Sequence, residues 1–456
     1  MDATTYRQEL DPAVRRCKER YFRLEHLSKQ RRYGEHVARG VRTYSPGLLR
    51  VASILAASGY RVRFLTLEEA EAELEEPEPG AERPAVVGFG SVCPTVPACA
   101  RVATLARRRL PGVRTVLGGS HAVVAPTLTS KAFEGAFDEV VDGFEADAAA
   151  RLVGGAPGGL RLPPERLDYG LLPRPLQEYG LNLTTTTGCP FACSYCQDRL
   201  APREVASLDG GLGRILDRLE RGTPVHVCDS VLGGGVLRAL EVCRALAGLD
   251  HGMLLSCDLR PELARPWLLD ALGTAGFREV RIGLDSADEG VLASAGRRAT
   301  PARLAEALES IRERSDLYVS VYLVTGLPGS TTATLERNVA VVEQLADRGL
   351  ADQVRHHLYV PYPTDRCPSG DPRVRLRTGD WSRYDRNSHP VFDLDDLPAE
   401  ALWDGFRMTE EAIVSTWARR LGLGVEELDG VPSYPDYHAV TYGLDTTVAG
   451  PVPPDC

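Results

Sequence analysis

Two runs of strand–helix alternation, separated by a stretch rich in glycine and proline, constrain the fold of this chain more than any other feature. In the first run, Ser45-Pro46-Gly47 opens a helix from Leu48 to Ser58, in the way an N-terminal proline often does, and Gly59 ends it. A strand over Arg61–Leu65 follows, then an acidic, proline-containing helix end and loop from Glu68 to Glu82. The continuous apolar run Ala85–Gly90 reads as a buried parallel strand. A helix over Val96–Arg109, a strand over Arg114–Leu117 and a last strand within Phe137–Gly143 complete the run. Residues 152–180, with Gly154-Gly155-Ala156-Pro157-Gly158-Gly159 and Pro163-Pro164, read as a linker. The second run has strand candidates at 181–187, 224–229, 253–257, 279–285, 317–323 and 354–360, with amphipathic helices such as Pro261–Ala275 and Pro301–Arg314 in the gaps. Strands alternating with helices predict an α/β protein with parallel sheets, the first of them doubly wound.

Directly after the first strand of the second run stands Gly188-Cys189-Pro190-Phe191-Ala192-Cys193-Ser194-Tyr195-Cys196. Three cysteines at spacings of four and three can curl round one face of an inorganic cluster. Thiolates are the usual ligands of iron–sulfur cubanes, which normally take four. Three with no obvious fourth would leave one iron open, the mark of a metal site that does chemistry. A zinc knuckle and buried structural cysteines are the competing readings. A zinc site would want a second ligand pair, and no further CxxC occurs in the chain.

The loop resembles the CxxxCxxC signature of the radical S-adenosylmethionine (radical SAM) superfamily, with Tyr195 as the aromatic residue before the third cysteine. The resemblance implies a [4Fe-4S] cluster on Cys189, Cys193 and Cys196, and SAM chelating the fourth iron through its amino and carboxylate groups. One electron then cleaves the sulfonium to a 5′-deoxyadenosyl radical, which abstracts hydrogen from a substrate. It also implies a partial, TIM-like (β/α)6 barrel over 181–370, whose site lies at the C-terminal ends of the strands. There Asp229 before Gly233-Gly234-Gly235 stands where the family meets the amino end of SAM; a helix N-cap or turn role is the alternative. Arg260 after the third strand is shaped for a methionine carboxylate, or for a salt bridge to Asp258 or Glu262. Gly283-Leu284-Asp285-Ser286 resembles the family's Gly-Leu-Glu-Ser, which places Asp285 at the SAM ribose. Gly326-Leu327-Pro328-Gly329-Ser330-Thr331 resembles its Gly-Leu-Pro-Gly-x-Thr, which offers backbone to the adenine. Tyr359, Tyr362 and Asp365, at the end of the sixth strand, are the expected acids near the substrate, with ordinary loop packing as the alternative for each.

Residues 1–151 resemble the Rossmann-like cobalamin-binding domain that precedes many such barrels. The matching phrases are Ser45-Pro46-Gly47-Leu48-Leu49, Val87-Gly88-Phe89, Leu117-Gly118-Gly119-Ser120-His121 and Val140-Val141-Asp142-Gly143-Phe144-Glu145. There is no DxHxxG to offer an axial histidine, and no clear apolar strand before Tyr44, so a domain without cobalamin is expected. His121 follows a strand where a ligand could lie, and reads more simply as a loop residue. Residues 371–456 are read as an extension packed on the barrel. In it, Asp380-Trp381-Ser382-Arg383-Tyr384 and His389-Pro390-Val391-Phe392 resemble a barrel-closing segment, and Leu402–Leu421 is an amphipathic helix. Cys367 and Cys456 are isolated, so a second cluster is not expected.

With 456 residues there is ample core for two to four domains. The net charge of −10 argues against a nucleic-acid partner and suits a cationic small substrate. Residues 1–40 are charged and helix-like, which predicts a solvated helical face. No apolar run is long enough to span a bilayer and Met1–Tyr6 has no apolar h-region, so a cytoplasmic location is expected. The barrel length, the degenerate cobalamin-type domain and the missing auxiliary cluster resemble the apramycin-type radical SAM diol-dehydratases of aminoglycoside antibiotic biosynthesis. That resemblance implies hydrogen abstraction from a sugar and loss of a neighbouring hydroxyl, with a flavodoxin or ferredoxin reductant and a separate NAD(P)H-dependent reductase. A cobalamin-dependent radical SAM methyltransferase is the alternative, and a non-catalytic iron–sulfur or zinc-binding module the third reading.

Overall fold

The structure is a computed structural model that describes residues 10–33, 44–77, 80, 82–143, 145–154, 167–173, 179, 181–200, 203, 205, 208, 216, 219–365 and 370–431. Cys367, Cys456, much of the 152–180 linker and the chain beyond 431 lie outside these residues.

The N-terminal α/β unit holds α2 (Pro46–Ala57), α3 (Leu67–Glu75), β1 (Val86–Gly90), α4 (Val96–Arg109), β2 (Arg114–Gly118), α5 (Ser120–Val124), α6 (Pro126–Ala132), β3 (Glu139–Val140) and α7 (Glu145–Leu152). Its three strands are parallel in the order β1-β2-β3. The Ser45 side chain caps α2, and Thr66 and Glu69 form a capping box on α3. The predicted strand at Arg61–Leu65 is not one: these residues run without ladder partners.

The second unit is a six-stranded parallel sheet in sequential order: β4 (Leu181–Leu183), β5 (Pro224–Val227), β6 (Leu254–Leu259), β7 (Phe277–Asp285), β8 (Tyr318–Thr325) and β9 (Gln353–Leu358). Between them run α8 (Val236–Ala247), α9 (Pro266–Thr274), α10 (Glu289–Ser294), α11 (Pro301–Arg314) and α12 (Thr332–Asp347). The helix expected over Pro261–Ala275 is a 3₁₀ turn, Pro261–Leu263, followed by α9, because Pro266 can only open a new helix. A two-stranded antiparallel pair, β10 (Val374–Leu376) with β11 (Phe392–Leu394), and the long α13 (Ala399–Arg420) follow the barrel.

The two faces of the barrel strands differ sharply. Outward side chains are apolar and buried under the helices, among them Val225, Val227, Leu255, Cys257, Val280, Ile282, Val319, Val321 and Leu323. Inward side chains are polar: Asn182, Thr184, His226, Ser256, Asp258, Glu279, Arg281, Ser320, Tyr322, Gln353 and Arg355. TIM-type barrels ordinarily fill this space with branched apolar layers.

The lower part of that lumen is sealed by α1 (Pro12–Tyr33). Glu25 pairs with Arg355 at 2.7 Å, Lys29 reaches Glu279 at 3.1 Å, and Gln353 hydrogen-bonds the Tyr21 hydroxyl. Lys18 joins Glu410 at 2.7 Å, which also meets His356 at 2.8 Å. Over the described residues of α1, the solvated helical face expected for 1–40 is therefore corrected in part. Lys18 and Glu25 of α1 are buried against partners more than 300 residues away in the chain, and nothing local in the sequence announces such pairing.

Candidate active site at the barrel mouth

The cysteine loop leaves β4 and is held by three backbone hydrogen bonds, the last of them within the loop. The Cys189 N–H donates to the Asp198 carbonyl at 3.1 Å, that of Ser194 to Ala295 at 3.0 Å and that of Cys196 to Cys193 at 3.2 Å. Gly296 lies at φ +72°, and a Cβ there would stand 3.0 Å from the Ala192 carbonyl oxygen, so the loop rests directly on that turn. Cys193 is buried; Cys189 and Cys196 are half-buried. Burial, reinforced by Asp198 and the neighbouring thiols, raises Cys189 and pushes Cys196 up to about 12. Such thiols give up their protons to a metal rather than to water. Among the described residues no three His, Cys, Asp or Glu side chains gather on a single ion; a cubane asks instead for one thiolate at each of three corners.

Asp285, at the end of β7, is the one described non-glycine residue with positive φ, +70°, beside a register shift between Gly283 and Asp285. A bulge there re-aims the side chain. Its carboxylate accepts from the Tyr195 hydroxyl at 2.7 Å and pairs with Arg297 at 2.6 Å, tying the cysteine loop to the strand end. Burial and the Asp285 charge drive the Tyr195 hydroxyl well above its ordinary range, so it stays a donor. Arg297 has no counterpart among the sequence-derived candidates. Arg260 is buried, with its guanidinium turned to the loop rather than outward, 3.5 Å from the Cys193 sulfur and 2.9 Å from Glu262. Around this mouth the Nε atoms of Arg260 and Arg297, Glu262 Oε2, Thr186 Oγ1 and Gln197 Nε2 are buried without a hydrogen-bond partner. Native interiors rarely leave such groups unpaired. A zwitterionic, hydroxylated ligand such as SAM fits this set of donors and acceptors.

Other expected residues take different places. Asp229 is not free for a ligand. It is 1% exposed, and its carboxylate accepts from Thr185 N at 2.7 Å, Thr186 N at 2.9 Å, Thr185 Oγ1 at 2.5 Å and Gly233 N at 2.9 Å. It is a clamp between the approach to the cysteine loop and the Gly-rich turn. Asp365 has structural partners as well: both its oxygens cap the start of α6, at 2.6 Å from Thr127 N and 3.0 Å from Leu128 N, and its own N–H donates to the Val124 carbonyl. Tyr362 and Tyr359 pack on the apolar cluster of Tyr384, Val391 and Phe392, Tyr359 edge-on to Phe392 at 5.4 Å. Gly326, at φ +87°, turns the chain past Leu402 and Phe392, and Leu327 is fully buried.

The upper lumen holds a group the sequence reading missed. His226 lies 3.0 Å from Asp258 through Nε2 and 3.0 Å from the Ser256 hydroxyl through Nδ1. The carboxylate only accepts, so Nε2 carries the proton and Nδ1 accepts from Ser256. Burial, with Arg281 adjoining, lowers the His226 pKa and keeps the ring neutral. Asp258 is 24% exposed, and Arg281 and Tyr322 stand half-buried on the same face. A signal was present: Val225-His226-Val227, Cys257-Asp258-Leu259 and Val280-Arg281-Ile282 break the near-continuous apolar pattern of strands covered on both faces.

At the carboxyl edge of the N-terminal sheet, Gly119 (φ +99°) lets the loops after β1 and β2 touch; a Cβ there would lie 2.4 Å from Ser91 N. His121, next along, is 1% exposed and both its ring nitrogens are unpartnered. It lies edge-on to Trp381, centroids 4.9 Å apart, and burial pushes its pKa down to about 4. In open α/β sheets this edge is where ligands bind.

Residues 37–153 match the B12 binding domain model and residues 183–342 the radical SAM superfamily model. Similar solved structures include the radical SAM methyltransferase TsrM from Kitasatospora setae with cobalamin and a [4Fe-4S] cluster bound, at 18% identity and TM-score 0.56 over 77% of this chain and 85% of that one. The cobalamin-dependent radical enzyme OxsB, with aqua-cobalamin and SAM bound, aligns at 13% identity and TM-score 0.50, over 67% of this chain and 50% of that one. The heme chaperone HemW of Mycobacterium tuberculosis is 26% identical over 191 residues, 38% of this chain; the chain spans about half (49%) the length of these curated relatives. The B12-binding match stands against the expectation of a domain without cobalamin: a missing DxHxxG removes one axial imidazole and leaves the carboxyl edge of the sheet in place. Among the described residues no helix is long and apolar enough to cross a membrane. The chain joins a B12-binding domain to a radical SAM domain.

Proposed function

We propose that the protein is a cobalamin-dependent radical SAM enzyme that transfers a methyl group to a polar small molecule held in the barrel lumen. The observation that carries this is the pairing of a B12-binding match over 37–153 with a radical SAM match over 183–342, in a chain that aligns over most of its length with a methyltransferase of that type. When bound, the cluster and SAM supply reductive cleavage of a sulfonium, and cobalamin supplies a one-carbon carrier. Cys189, Cys193 and Cys196 would each hold one iron. Arg297 and Glu262 offer their unpaired atoms to the carboxylate and ammonium of SAM, Asp285 and Tyr195 fix the ribose side, and the backbone at Gly326–Leu327 takes the adenine. Cobalamin would lie at the sheet edge marked by Gly119 and His121. Asp258, oriented by His226 and Ser256, anchors a hydroxyl or ammonium of the substrate inside the lumen. Loss of water from a sugar draws no support from the comparisons, and Asp365, one of its expected acids, is occupied on α6.

Anaerobic reconstitution with iron, sulfide and hydroxocobalamin tests this reading. A corrinoid absorption band retained at one per chain through gel filtration supports it. A protein that carries its full cluster, cleaves SAM to 5′-deoxyadenosine and washes free of corrinoid contradicts it and returns the dehydratase reading.

A further inference from the structure

The cysteine loop carries its own cation. Arg260 leaves the end of β6 and its side chain is 5% exposed. The guanidinium lies over the Phe191 ring of the loop, 3.9 Å from its carbon to the ring centroid. Nη1 stands 3.5 Å from Cys193 Sγ, and Nη2 is 2.9 Å from Glu262. Stacking on Phe191 and pairing with Glu262 fix the fork, so the N–H directed at sulfur is held before any metal arrives. Arg297, the other guanidinium at this mouth, has its charge met by Asp285 at 2.6 Å.

Hydrogen bonds to ligand sulfurs and nearby charge are two of the levers that set the potential of an iron–sulfur cluster. A cubane gains one negative charge on going from its 2+ to its 1+ state. The electron comes from an external low-potential reductant and no bond is made or broken. A buried cation donating to a thiolate favours the more negative state, and in a site shielded from water the effect is large. We propose that Arg260 sets the potential of the cluster, raising it through its N–H directed at Cys193, and that Glu262 opposes it. This rests on the reading of Cys189, Cys193 and Cys196 as cluster ligands. Arg260 acts through the sulfur and is a positioning residue, distinct from the SAM-carboxylate role expected from its place at a strand end.

The test uses the full-length protein, reconstituted anaerobically and studied without SAM. Iron and sulfide are counted, and the midpoint potential is read from the reduced-cluster electron paramagnetic resonance signal against redox dyes. In Arg260→Met the reduction equilibrium falls about tenfold, a downward shift of about 59 mV for a one-electron couple, with iron content unchanged. Arg260→Lys, which keeps the charge without the planar fork, falls between it and the wild type. Glu262→Gln shifts the potential upward. Opposite signs at two residues in contact are not what mere structural damage produces. Loaded Arg260→Met and Glu262→Gln proteins with wild-type potentials overturn the proposal. Should Arg260→Met fail to load, Glu262→Gln decides alone: a rise supports the proposal and no change overturns it. A wild-type protein that assembles no cubane sinks the ligand reading, and this inference with it.

Discussion

Asp229→Asn separates the clamp seen in the structure from the ligand-binding role its position suggests. One carboxylate oxygen accepts from the N–H groups of Thr185 and Thr186, the other from the Thr185 hydroxyl and the Gly233 N–H. In the asparagine variant the better rotamer keeps the carbonyl on the two threonine N–H groups and turns the amide toward Thr185 Oγ1 and Gly233. The hydroxyl can rotate to accept; the Gly233 N–H cannot, and it is left buried without a partner. That orphan costs about 1–3 kcal/mol, and the two surviving bonds weaken as the charge is lost, for a total of about 3 kcal/mol. Thr186 lies two residues before the cysteine loop, so the loss falls on cluster assembly as well as on stability. Urea unfolding of the reconstituted barrel and iron counting after gel filtration are the assays. Lower resistance to urea together with reduced iron content is expected. Wild-type stability and full iron loading, with SAM affinity alone reduced, would refute the clamp and return Asp229 to the SAM amino group.

Asp285→Asn removes the charge facing Arg297, whose side chain is 6% exposed. Leaving that cation buried without its counter-charge costs about 3 kcal/mol in urea unfolding, and Arg297→Met in the same chain recovers part of the loss. Lys18→Met strands Glu410 and His356 in the interior, so stability falls by about 3–5 kcal/mol; a wild-type melting curve would show that α1 is not a structural part of the barrel. The folded-state pKa of His121, about 4, lies below its ordinary 6.5. Its contribution is therefore complete above pH 6.5 and lost as pH falls toward 4, by about 3 kcal/mol. Thermal melts between pH 7 and 4.5 should show this loss in the wild type and a flatter profile in His121→Phe.

The elements that report themselves locally were legible in the sequence. Val96–Arg109 and Pro301–Arg314 form the helices their punctuation predicts, and each of the six expected barrel strands is found, because apolar runs bounded by turns need no distant information. The cysteine loop was equally plain, since spacing within nine residues carries its chemistry. What failed depends on partners remote in the chain. Lys18 and Glu25 read as solvated until His356, Glu410 and Arg355 are placed beside them. Asp365 reads as an acid at a strand end until α6 arrives at its carboxylate. Arg297 follows a helix rather than a strand, so a search confined to strand ends passes over it.

The proposed function needs Cys189, Cys193 and Cys196 to hold a cubane whose fourth iron is open to SAM. Electron paramagnetic resonance of the anaerobically reconstituted, reduced protein, recorded before and after SAM is added, tests it most directly. A [4Fe-4S] signal whose g-values move when SAM binds is expected, and its absence in Cys193→Ser. A spectrum without a cubane, or one that SAM leaves untouched, would contradict it.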